Sequence, residues 1–234
     1  MKRGQLPAGL RIVGLVLLTL GLTACAGSTP KIDTSPEAEV TFGGLHEVTG
    51  GTADKAWARP GIDISQYSKI MLKGIGVEYR PGGEAGRTYH ARAQGGPFEV
   101  TAEQREEFEK EMKDAFREEL ARSEHFELVD QTGPEVLLII GGLLDVVSYV
   151  PPEPIGRGEI FLSSVGEATL VLEIRDSITQ TVLVRAIDRR AAESSGSFTE
   201  SNRVTNRAEV RRLAKSWARL LRTRLDELAA QPES

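Results

Sequence analysis

One thiol, three imidazoles and one carboxylate set in apolar sequence are the side chains whose chemistry could matter most. Cys25 is the only cysteine in 234 residues. It follows Leu22, Thr23 and Ala24 at the end of the apolar run Ile12–Leu22. A solitary thiol has no intrachain disulfide partner, so its use is as a nucleophile or an attachment point. His46, His90 and His125 show no i, i+4 pairing, and no second cysteine joins them, so no metal site and no cofactor are expected. His90 lies in the glycine-rich stretch 81–97 beside Arg87, Tyr89 and Arg92. Asp145 interrupts the apolar segment Glu135–Val147. A buried acid there could be a perturbed catalytic group; an acid where the strand reaches water, or one bonded to backbone, would not be. Ser194-Ser195-Gly196-Ser197 is not a nucleophile elbow, and Gly82–Gly86 lacks the Gly-Lys-Ser/Thr ending of a phosphate loop. No catalytic set converges. The expectation is a non-enzymatic protein with no small-molecule substrate inferred, and a hydrolase using His90 or Asp145 is the alternative.

A second constellation is electrostatic. Between Arg203 and Arg224 stand eight basic residues and one acid, Glu209. At 100° per residue, Arg207, Arg211, Lys215, Arg219 and Arg222 fall on one side of a helix, next to its apolar stripe. Such a face suits anionic headgroups, an anionic polymer or an acidic partner. The structural alternative is a docked helix whose outer face is arginine-rich.

The start of the chain reads as an export signal. Lys2, Arg3 and Arg11 precede the apolar run, and small residues close it, so residues 1–24 are expected to be removed. As a helix the eleven-residue run would reach about 16 Å, short of a hydrocarbon core of about 30 Å. Leu22-Thr23-Ala24-Cys25 is similar to the lipobox of bacterial lipoproteins. The resemblance implies diacylglycerol on the Cys25 sulfur and a further acyl group such as palmitate on the new amino terminus. One acyl chain binds membranes marginally, whereas two or three anchor stably. By the same resemblance, Ala26 after the cysteine implies the outer membrane, with the domain facing the periplasm.

The signal holds three of the 29 basic residues and none of the 34 acidic ones, leaving 26 against 34 and a net charge of −8. A domain that acidic is a poor nucleic-acid binder. The remaining 210 residues suffice for one domain with a core held by apolar packing.

These side chains must be positioned by elements that the patterning suggests. Residues 25–38 read as the lipidated terminus and a flexible tether, and 39–230 as a single α+β domain. Residues 39–66 are expected to be irregular and pinned by Trp57. Alternation from Tyr67 to Tyr79 predicts a strand. Thr101 to Arg122 predicts a helix capped by Thr101 and Gln104, with an apolar stripe of Phe108, Met112, Ala115, Phe116 and Leu120. Its outer face is expected to be solvated and laced by Glu106–Lys110 and Glu109–Lys113 pairs. Phe126–Val129 and Glu135–Val147 read as strands, the second bulged at Gly141-Gly142. A hairpin from Ala168 to Ala192 follows. A second helix spans Asn206–Ala229, started by Asn206 and Glu209, with a stripe of Val210, Leu213, Ala214, Trp217, Leu220, Leu221 and Leu228. The order β-α-β-β-β-β-α predicts a mainly antiparallel sheet of four to five strands with both helices on one face.

Several stretches together resemble a proteobacterial lipoprotein family catalogued as domain of unknown function 3313: Trp57-Ala58-Arg59-Pro60-Gly61 leading to Tyr67-Ser68-Lys69-Ile70, then Leu144-Asp145-Val146, Arg175-Asp176 and Trp217-Ala218. The resemblance implies a lipid-anchored envelope protein and assigns no catalytic residue. More loosely, the element order is similar to small envelope domains in the amino-terminal part of TolB and in lipoprotein activators of cell-wall synthases. The expected partners are the membrane, through the lipid, and another envelope protein or anionic envelope component; an accessory subunit of a transport or secretion machine is the alternative.

Overall fold

The computed structural model describes residues 30–80, 97–151, 160–193 and 199–230. In chain order they form β1 (Lys31–Ile32), β2 (His46–Thr49), β3 (Lys55–Ala58), β4 (Lys69–Tyr79), α1 (Ala102–Leu120), β5 (Glu127–Val129), β6 (Val136–Ser148), β7 (Phe161–Leu162), β8 (Ser164–Asp176), β9 (Val182–Glu193), β10 (Thr199–Glu200) and α2 (Arg203–Ala229). The α+β class and the two helices agree with the sequence reading, but the sheet is larger and its order differs. Eight strands pair as β1-β2-β3-β9-β8-β6-β4-β5, and β10 pairs separately with β7. The sheet is mixed, because β4 runs parallel to both β5 and β6. The α1 connection permits this: a helix carries the chain back to start the next strand in the same direction.

Three of the additional strands come from residues read as tether or irregular extension. Trp57 lies in β3, pairs across to Arg185 and is buried. Lys31 and Ile32 pair with Thr49 and Val48. Segments this short carry too little alternation to be told from loop by pattern; the long β9 beside them supplies the template.

The long strands obey their alternation. Cross-strand neighbours Ile70 and Leu137, and Leu72, Ile139 and Ile174, share one face. That face packs into a single cluster with Met112, Phe116 and Leu120 of α1 and Leu213, Trp217 and Leu225 of α2. The opposite face carries the row Trp57–Arg185–Glu173–Ile140–Lys73. In β6, Gly141 and Gly142 pair regularly with β8, whereas against β4 the register shifts between Lys73 and Ile75, opposite Ile140 and Gly141; the break against β8 falls between Leu144 and Val147. Asp145 sits there with φ +57°, a left-handed conformation that Asp adopts more readily than most residues.

The caps fix the helix starts. Thr101 and Gln104 form the expected reciprocal box on α1. On α2 the box belongs to Asn202 and Thr205, four residues earlier than expected from Asn206 and Glu209. The Asn202 side chain accepts from the Val204 and Thr205 amides at 3.0 Å each, satisfying donors that the first turn leaves free. Leu228, assigned to the buried stripe, is exposed.

Candidate functional site

The basic face of α2 meets the acidic face of α1. Arg203 reaches Glu103 at 3.4 Å and also pairs with Glu107. Arg207 pairs with Glu111, which also accepts from Arg211 at 2.8 Å. Arg211 continues to Glu118, and Lys215 reaches Glu118 at 3.1 Å. The pairing rises in step along both helices, so they run side by side in the same direction. Arg222 turns within its own helix to Asp226 at 3.3 Å, and Arg219 is exposed. Of the five positions read as one partner-binding face, three are therefore committed to an interhelical seam. The reason is spacing: acids at 103, 107, 111 and 118 match bases at 203, 207, 211 and 215. Within α1, Lys110 reaches forward to Asp114 at 2.6 Å rather than back to Glu106.

Glu111 is 3% exposed at the middle of this seam. Burial alone would raise its carboxyl, but hydrogen bonds from Arg207 and Arg211 outweigh that and hold it below the usual range. Glu173 on the other face behaves alike: burial pushes it up, and Arg175 and Arg185 pull it down further. Asp145 is not a buried acid. It pairs with Arg80 and lies 3.5 Å from Arg189, and the Arg80 bond keeps it ionised below the ordinary aspartate range. A carboxylate held anionic this way has no proton to donate at neutral pH.

His46 contacts the Asp33 carbonyl through Nδ1 at 2.9 Å, and His125 lies in the turn after α1. Leu22, Thr23, Ala24, Cys25 and His90 lie outside the described residues, as do Gly82–Gly86 and Ser194–Ser197. Among the described residues no cluster of three or more His, Cys, Asp or Glu could hold a metal, and no helix is long and apolar enough to cross a membrane.

A cavity of about 390 Å³ opens where β4, β6 and β9 end and β8 begins, under the first turns of both helices. Its floor is aliphatic, formed by Val146, Val147, Val165, Ala168 and Ala192, with Phe108, Val210 and Leu213 from the helices above. Its rim is the start of the seam: Glu103, Glu107 and Glu111 against Arg203 and Arg207, already paired with one another. Tyr79 also lines it, edge-on to Phe108 and under the Arg105 guanidinium. The Tyr79 hydroxyl is buried with no hydrogen-bond partner among the described residues, and burial pushes its pKa up. Gly166 completes the wall. A Cβ there would stand 2.2 Å from the Val147 carbonyl oxygen, so only glycine lets β8 pass so close to β6. Sequence patterning could not find this cavity, because its lining comes from six elements that meet only in three dimensions.

No family model matches the chain, and no curated protein matches it. Solved bacterial structures share parts of the layout. Protein XCC0632 from Xanthomonas campestris, of the family DUF330, aligns with 11% identity over 73% of this chain and 90% of that one, at a TM-score of 0.43. A PelC dodecamer from Paraburkholderia phytofirmans aligns with 12% identity over 76% of this chain and 98% of that one, at a TM-score of 0.33. Likenesses this distant carry no argument about activity.

Proposed function

We propose that this protein is a lipid-anchored, non-enzymatic binding domain of the bacterial envelope, attached through Cys25 to the outer membrane and facing the periplasm. The observation that carries the reading is the tetrad Leu22-Thr23-Ala24-Cys25 behind a basic and apolar start, with no other thiol in the chain. The strand order is compatible with it. The chain enters the sheet at Lys31, on an edge strand, six residues after Cys25. Six residues span at most about 20 Å, which would hold the folded body close to its anchor. A domain held there by two or three acyl chains samples its partners at the membrane surface rather than throughout the periplasm.

Metabolic labelling with radioactive palmitate, followed by fractionation, tests the reading. The wild-type chain is expected to take label and sediment with outer membranes. Cys25→Ser is expected to lose the label and leave the membrane pellet. Undiminished membrane association of an unlabelled Cys25→Ser chain would overturn the proposal.

A further inference from the structure

Strand directions point the start of β1 toward the end of the sheet that holds the cavity. β9 runs toward the cavity, ending past Ala192, and β3 is antiparallel to β9, β2 to β3 and β1 to β2. β1 therefore runs away from the cavity end, and the registers put Lys31 about level with Ile187, midway along β9. Six residues from Cys25 reach at most about 20 Å, enough for an anchored domain to present the cavity end, where both helices also start, to the bilayer.

The lining says what could enter. The floor is aliphatic, and the polar side chains of the rim are already matched, Glu103 and Glu107 to Arg203 and Glu111 to Arg207. A peptide threaded inside would bring amide groups that the floor cannot satisfy. A hydrocarbon chain brings none. The volume lies near the lower end of the roughly 300–1,000 Å³ of small-ligand sites. At roughly 30 Å³ for a group the size of a water molecule, it holds on the order of a dozen methylenes, one chain rather than two. The Tyr79 hydroxyl is the one buried side-chain polar atom on the lining that lacks a partner among the described residues.

We infer that this cavity takes one acyl chain of a membrane phospholipid, leaving the headgroup at the charged rim between the helix starts. The inference rests on the lipid-anchored reading for its approach to the bilayer, whereas the cavity itself does not depend on the anchor.

Full-length protein purified from membranes is reconstituted into phosphatidylethanolamine–phosphatidylglycerol vesicles holding a phospholipid with a diazirine midway along one acyl chain. After irradiation, mass spectrometry of the digest maps the adducts. Label is expected on cavity residues such as Phe108, Val165 and Val210. Ala168→Trp, which fills the floor with an indole, is expected to cut it at least tenfold while the protein stays on the vesicles. Val210→Trp, at the cavity's edge on α2, does the same should Ala168→Trp lose its fold by circular dichroism. Cys25→Ser exposed in solution to a diazirine fatty acid reads the cavity without the anchor. Labelling of the cavity there, together with loss of vesicle binding, separates the two claims. Adducts confined to other surfaces, or cavity adducts that both tryptophan variants leave unchanged, would overturn the inference.

Discussion

Glu111 shows how one side chain can decide the role of several others. Its carboxylate accepts from Arg207 and Arg211 while almost fully buried, so those two arginines serve the fold before any partner. Hydrogen bonds to a charged group contribute about 1.5–3 kcal/mol each in favourable cases, and the partial exposure of both arginines lowers that here. Glu111→Gln is expected to cost about 1–2 kcal/mol at pH 7 in urea unfolding. The sign with pH follows from the lowered carboxyl. Its contribution is fully present above the ordinary value of 4.5 and is lost as pH falls from there through the depressed folded value. The variant should therefore lose less stability than wild type between pH 5 and pH 3. A gap between the two proteins that is unchanged at pH 3 would contradict the assignment.

At the scale of elements, the close pass of β8 over β6 depends on Gly166. Glu167, next in β8, pairs across to Val147 and binds Arg189 at 2.6 Å, so the strand has little freedom to retreat. Gly166→Ala is expected to destabilise by about 2 kcal/mol, the usual cost of forcing one methyl into a filled position, with a matching drop in the urea midpoint. A neutral Gly166→Ala would mean that the strands can part. The helix seam belongs to this scale as well. Each helix is legible from its own sequence, and so are the acid spacing of one and the base spacing of the other. Their partnership was legible only by comparing the two, since a base pattern read alone looks like a free cationic surface.

For the whole molecule, the long inner strands β9, β8, β6 and β4 carry the sheet, while β1 and β5 at its edges have two and three residues. Short edges discourage pairing with other chains, and they should also open first. Native-state hydrogen exchange is expected to be slowest for amides of β6 and β8, near the global unfolding limit, and fastest among the strands for β1 and β5. Equal protection across all eight strands would show that the amino-terminal strands belong to the same cooperative core. The cavity is also a property of this scale, since β-strand ends and helix starts enclose it together.

The sequence by itself determined the two helices, the four long strands, the apolar stripes and the basic, apolar and Leu-Thr-Ala-Cys pattern at the start. Those are local: a period of two or 3.6, a capping pair or a tetrad is complete within a few residues. Only the tertiary structure decided that the arginine face is a seam, that Asp145 is a surface anion at a strand irregularity, and that residues 31–58 extend the sheet. It alone revealed a cavity between the helix starts. Each of these is set by a neighbour distant in the chain, and a charge, a short strand or a glycine acquires its role only when that neighbour arrives.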